Sequence, residues 1–206
     1  MKVLMINGSS RENGCTYTAL REIADELRRQ GIESEIVFLG DGDCPDCTAC
    51  GACRTLGKCV IDDKVNEIAE KAKSADGFIF GTPVYYAHPS GRILSVLDRA
   101  FFSASGVFAH KVAAAIASAR RAGTTASVDV LNKYFTINEM IVVSSSYWNV
   151  VHGSSPEDVK KDKEGLQTMR NLAKNMAWIM KCIEAGKSAG ICVPETEHGE
   201  RTNFIR

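Results

Sequence analysis

The chain is predicted to fold as an α/β protein with a parallel sheet covered by helices on both faces. Two observations lead there. Short strand-like runs alternate with helical patterns along the 206 residues, the arrangement that a parallel sheet with crossover helices requires. The runs are also apolar throughout, without the in-and-out alternation of a sheet that faces water on one side.

Residues 2–7 form the first run, which stops at Gly8-Ser9-Ser10. Helical spacing follows, with Leu20, Ile23, Ala24 and Leu27 on one face, and ends near Gly31. Residues 35–39 read as a second strand. Asp62 or Asp63 then caps a helix that turns Val65, Ile68, Ala69 and Ala72 inward. The third strand, residues 77–81, runs into Thr82-Pro83-Val84-Tyr85-Tyr86. A helix over 90–102 buries Ile93, Leu94, Leu97 and Phe101. A fourth strand at 111–118, a helix at 124–135, a fifth strand at 139–144 and a long helix at 156–185 complete the pattern. Five strands of this kind suggest a three-layer, flavodoxin-like fold with a five-stranded parallel sheet in the order 2-1-3-4-5. No repeat or linker interrupts the chain, so residues 1–206 read as a single domain with a cysteine-rich loop at 40–62 and a C-terminal tail at 190–206.

Lysine plus arginine and aspartate plus glutamate number 25 each. That balance provides no overall field for nucleic acid or an acidic membrane surface. The longest apolar stretch, residues 112–117, is too short to span a bilayer. The first residues do not read as a secretory signal, so a cytoplasmic, reducing location is expected, where clustered cysteines indicate metal or redox chemistry.

In such sheets ligands bind at the carboxyl ends of the strands. The first end carries Ser9, Ser10, Arg11, Asn13, Gly14, Cys15 and Thr16. Small residues let backbone amides approach an anion, the helix that follows offers free N–H groups, and Arg11 can bond a phosphate through two nitrogens. The turn matches neither a dinucleotide fingerprint nor a Walker loop, and suits a single terminal phosphate such as that of FMN. Read alone, the same composition also serves as an ordinary strand-to-helix turn. Pro83, Val84, Tyr85 and Tyr86 at the third strand end offer backbone bonds and aromatic faces to a planar ring. Ser118, Arg120 and Gly123 lie at the fourth. Core or subunit packing is the competing role for the tyrosines; Trp148, after the fifth strand, suits the pocket's rim or a subunit contact, with core burial as the competing role.

Five of the eight cysteines, at 44, 47, 50, 53 and 59, fall within sixteen positions. Three-residue steps turn successive sulfurs toward one centre, as an iron–sulfur cluster or a zinc ion needs. An unbroken run favours the cluster over zinc, and an empty loop is the remaining alternative. Spacing alone admits either Cys44, Cys47, Cys50 and Cys53 or Cys47, Cys50, Cys53 and Cys59 as the ligand set. Cys15, at a helix start that lowers a thiol's pKa, is a candidate reactive thiol or a small space-filling residue.

With these residues in view, the chain resembles the NAD(P)H-dependent FMN reductase family and, within it, the iron–sulfur flavoprotein branch. The resemblance rests on the stretch from Gly8 to Thr16, on that from Gly81 to Tyr86 and on the compact cysteines. It implies FMN bound by the first turn at its phosphate and by the third and fourth loops at its ring, NAD(P)H as a possible electron donor, and a homodimer or homotetramer. The branch's pattern falls on Cys47, Cys50, Cys53 and Cys59 and implies a 4Fe–4S cluster there. The expected function is an FMN-dependent oxidoreductase that moves electrons between flavin and cluster, toward a partner protein or a small acceptor. A cluster-free FMN or quinone reductase and a non-catalytic thiol or zinc sensor are the alternatives.

Overall fold

A computed structural model of the chain describes residues 1–200 and 202. In chain order the elements are β1 (Lys2–Asn7), α1 (Cys15–Arg29), β2 (Glu33–Phe38), α2 (Cys53–Leu56), α3 (Lys64–Lys73), β3 (Gly77–Tyr85), β4 (His88–Pro89) and α4 (Gly91–Phe108). They continue with β5 (Val112–Ala119), α5 (Thr124–Ile137), β6 (Ile141–Val142), β7 (Val150–His152), α6 (Pro156–Lys161) and α7 (Lys163–Ser188). The sheet runs β2-β1-β3-β5-β6, with parallel pairing along this path.

The uniform apolarity of the strands has a direct cause. Leu4 and Ile6 of β1 and Phe78 and Phe80 of β3 enter one core, against Val65, Ile93, Leu97 and Phe135 from α3, α4 and α5. Val3, Met5 and Ile79 enter a second, against Leu20 and Ile23 of α1 and Met169, Leu172 and Met176 of α7. The central strands β1, β3 and β5 therefore bury both faces, and the three-layer expectation holds. The first core is tied by aromatic pairs, among them Phe101 and Phe108 with ring centres 4.4 Å apart and Phe80 and Phe135 at 5.3 Å. Such pairs contribute about 0.5–1.5 kcal/mol each beyond their buried area.

The structure corrects the expected sheet in two places. It holds seven strands, because the fifth position is shared by two short segments that both pair with β5: β6 at residues 112–113 and β7 at residues 117–119. Between them the chain leaves the sheet through residues 143–149, and only the first segment carries the apolar run that the sequence displays. The sheet is also not wholly parallel, since β4 turns back antiparallel on β3. The final helix is broken at Asp162, which leaves helical geometry at ψ 78° and caps α7 by accepting from Gly165 N. Helix α4 extends to Phe108 across a non-helical Ala104. The described part of the tail past Gly190 has no regular structure, and the expectation for residues 201 and 203–206 lies outside the described residues. No helix among the described residues is long and apolar enough to cross a membrane.

Candidate functional site

The turn after β1 is organised by a residue within the strand. Asn7 is fully buried. Its Oδ1 accepts from Ser9 N at 3.2 Å and its amide nitrogen donates to the Glu12 carbonyl at 3.0 Å. Ser9 Oγ in turn accepts from Arg11 N at 3.0 Å. On the far side Ser90, the cap of α4, donates from Oγ to the Gly8 carbonyl at 2.8 Å. Gly8 lies so close to its neighbours that a Cβ there would stand 2.8 Å from Ile93 Cβ and 2.9 Å from the Gly81 carbonyl oxygen.

Helix α1 opens onto this turn with Gly14 at its cap, no side-chain cap and no acidic residue in its first turn. Its unpaired N–H groups and the positive end of its dipole are left for an anion. Thr16 Oγ1 and Ser118 Oγ, 2.8 Å apart, join this helix start to the end of β5.

A cavity of about 200 Å³ opens at this edge. From the first turn it is lined by Ser9, Arg11, Cys15 and Thr16, from β3 by Pro83, Val84 and Tyr85, and from β5 by Ser118 and Arg120. Three separate strand ends thus converge as the sequence predicts. The hydroxyls, two arginines and an uncapped helix start fit a phosphate, and the adjoining Pro83, Val84 and Tyr85 fit a ring. FMN is therefore compatible with the residues present.

Several predicted residues lie apart from this lining. Ser10 and Gly14 belong to the same turn without facing the cavity, and Asn13 lines a different groove beside α1 and β2. Tyr86 is fully exposed at the tip of the β3–β4 hairpin. Its φ of +51° and that of Ala87, +58°, are the pair that a two-residue type I′ turn requires and that Asn-Gly usually supplies. Gly123, at φ +87°, presses on this hairpin: a Cβ there would sit 2.5 Å from Ala87 Cα. It lets the β5–α5 turn meet the hairpin. Trp148 is not core either. It is more than half exposed and stands edge-on to Tyr147 with ring centres 4.7 Å apart.

Two lining residues escaped the sequence reading, Gly153 and Ser154, which follow β7. Their signal was present, since Val150-Val151-His152-Gly153-Ser154-Ser155-Pro156 repeats the apolar-run, Gly-Ser-Ser, helix-start pattern of the first turn. Cys15 lies against them. Its Sγ donates to the Gly153 carbonyl at 3.6 Å, and burial pushes its pKa up. Burial thus outweighs the lowering influence of the helix start and of Arg11, against the reading of an activated thiol.

The cysteine loop forms a second centre. Cys47, Cys50, Cys53 and Cys59 line one small cavity together with Arg99 and Phe102 of α4. Cys44 does not line it: its Sγ donates to the Arg92 carbonyl at 3.5 Å, it packs on the core, and burial raises its pKa. Of the two ligand sets that spacing allows, only the second surrounds one space. As the side chains stand, no three His, Cys, Asp or Glu among the described residues form a group that holds a single metal ion. Four thiols around one space nonetheless supply the donor set of a 4Fe–4S cluster.

Arg99 is the cavity's only guanidinium, and its side chain is 1% exposed. Burial opposes its charge, but hydrogen bonds to Asp63 and Cys59 outweigh that and raise its pKa. The cavity lies against residues 99–103, about nine residues into α4 from Ser90. At 1.5 Å per residue that is roughly 14 Å along the helix from the phosphate turn. The loop leaves the carboxyl end of β2, as expected, but its thiols sit beside the middle of α4 and not on the sheet's edge.

Fold and site together define a flavodoxin-like flavoprotein. The sequence matches the NADPH-dependent FMN reductase family over residues 1–155, and the chain belongs to that oxidoreductase family. It is 36% identical over 192 residues to an iron–sulfur flavoprotein of Methanocaldococcus jannaschii, covering 89% of this chain and all of the relative. A second iron–sulfur flavoprotein, from Methanosarcina thermophila, is 29% identical over 191 residues, covering 91% of this chain and 99% of that one. Among solved structures, RosB with a bound flavin-derived intermediate superposes with a TM-score of 0.71 at 15% identity, over all of this chain and 92% of RosB. An apo NADH:FMN oxidoreductase does so at 0.64 and 18% identity, over 86% of this chain and 89% of that one. At these identities both show the shared fold alone.

Proposed function

We propose that this protein is an FMN-dependent oxidoreductase that moves electrons between FMN, bound at the β1, β3 and β5 ends, and a 4Fe–4S cluster held by Cys47, Cys50, Cys53 and Cys59. The observation that carries the proposal is that these four thiols, and not Cys44, line a single cavity. The names of the two archaeal relatives support it. When bound, FMN exchanges electrons in pairs or singly, and a 4Fe–4S group moves one at a time.

The chain's own part is to hold and orient. Arg11 and the free N–H groups of α1 neutralise the phosphate, and Ser9, Thr16 and Ser118 fix its oxygens. Tyr85 and the exposed Tyr86 border the ring side, where NAD(P)H would approach as donor. The exposed aromatic side chains Tyr86, Tyr147, Trp148 and Trp178 support assembly into a homodimer or homotetramer, to be tested by light scattering during size-exclusion chromatography. The electron acceptor is a redox protein or a small molecule, and the location is the cytoplasm.

Anaerobic purification with iron, sulfide and flavin quantification tests the proposal. The expected result is one FMN and about four irons per chain, the stoichiometry of a 4Fe–4S group, with broad absorbance beyond the flavin bands that dithionite bleaches. Flavin without iron, after anaerobic reconstitution with iron and sulfide, overturns the cluster and leaves a plain NAD(P)H-dependent FMN or quinone reductase.

A further inference from the structure

We propose that Arg99 positions the cysteine loop and raises the reduction potential of the group the loop holds, an inference that rests on the cluster reading above. All five N–H donors of its guanidinium are used, and every acceptor lies on the loop or at its exit. Nε donates to Cys59 Sγ at 3.3 Å. Nη1 donates to the Pro45 carbonyl at 3.3 Å and to Asp63 Oδ2 at 2.6 Å, and Nη2 to the Ile61 carbonyl at 3.0 Å and Asp63 Oδ1 at 2.9 Å.

Pro45 stands before the first of the four cysteines, and Cys59 and Ile61 stand at and just beyond the last. One side chain from α4 therefore closes the base of the loop, leaving Cys47, Cys50 and Cys53 to wrap around the cavity. Only a planar fork with five donors can do this; a lysine ammonium has three, on a point charge. A cation this deeply buried is costly without its partner, and Asp63 provides that partner.

The same geometry biases reduction. Adding one electron makes the held group more negative. An N–H bond to a ligand sulfur and a nearby positive charge both favour that reduced form, while the Asp63 carboxylate opposes it. Removing Arg99 and removing the charge of Asp63 must therefore shift the potential in opposite directions. Damage to the loop alone would not give opposite signs.

The test is an EPR-monitored redox titration of the anaerobically reconstituted protein, with mediators and dithionite. Arg99→Gln is expected to lower the reduction equilibrium constant about tenfold, a fall of about 59 mV for a one-electron couple. Asp63→Asn, which keeps the cap of α3, is expected to raise the potential. FMN content stays unchanged in both. Equal potentials, or shifts of the same sign, overturn the inference; should Arg99→Gln fail to fold, the Asp63→Asn shift decides by its sign. A second readout uses protein prepared without iron, in which Arg99→Gln is expected to speed amide hydrogen exchange across residues 45–61. If wild-type protein takes up no iron, the cluster reading fails by itself. Exchange then decides the positioning role, and an unchanged loop overturns it.

Discussion

The turn after β1 and the cysteine loop are the molecule's two candidate centres, and they are held in opposite ways. The turn grows directly out of the sheet. Its shape follows from Asn7 inside β1 and Ser90 at the head of α4, both buried and both bonded to its backbone. The loop departs from β2 and folds back over α4, where Arg99 takes the largest share of its attachments and Arg92 and Asn66 of α3 add others. A centre continuous with the core inherits the core's rigidity. A centre suspended from it depends on a few long-range contacts and on whatever the cysteines bind.

The largest effect is expected where that dependence is most complete. Replacing Cys50 with Ser removes one of four thiol donors, and is expected to abolish stable iron binding while FMN content stays at the wild-type level. Iron analysis and the visible spectrum read it, and wild-type iron content in the variant would detach Cys50 from the centre. Next comes the turn's own support. Asn7→Ala removes the partners of the Ser9 N–H and the Glu12 carbonyl, and the buried Ser9 N–H left unsatisfied costs about 1–3 kcal/mol. Urea denaturation is expected to show that loss together with weaker FMN binding; unchanged affinity would mean that the turn keeps its shape without Asn7.

Gly123→Ala tests the contact between the β5–α5 turn and the hairpin. A methyl group there meets Ala87 Cα at 2.5 Å and adopts φ +87°, so a loss of about 1–3 kcal/mol is expected from backbone strain, seen as a lower Tm. Arg11→Ala is expected to weaken FMN binding about tenfold, or about 1.4 kcal/mol, at the lower edge of a charge-assisted hydrogen bond. Fluorescence titration measures it, and an unchanged Kd would turn Arg11 toward solvent.

The smallest effect concerns Cys15. Burial raises its pKa, so its thiolate forms at higher pH than that of an ordinary thiol. Alkylation followed by mass spectrometry is expected to label Cys15 slowly at pH 8 and faster as the pH is raised further. Early labelling of Cys15 would restore the activated thiol.

Much of this fold is legible in the sequence. The apolar runs at residues 2–7, 77–81 and 111–118 located three central strands, and the residues that follow them located the cavity's three walls. What was misread had a local cause. The fifth strand position is divided between β6 and β7 by seven residues outside the sheet, and a three-residue segment such as Val150–His152 is too short to display periodicity. Gly153 and Ser154 were missed with it. Gly123 and Tyr86 carry the composition of ligand residues and lie outside the cavity lining, one where two turns meet and the other at a hairpin tip. Composition does not reveal which side of a turn faces the cavity.

The order of apolar runs, turns and cysteine steps is local information, and it determined the fold class, the family and the two candidate centres. The choice of Cys59 over Cys44 around the cavity, and the gathering of Pro45, Cys59, Ile61 and Asp63 on Arg99, bring together residues as many as 54 positions apart. Only the folded chain decided these. The burial of α4 against the sheet sets which of its side chains faces the loop, and no spacing within the loop encodes it.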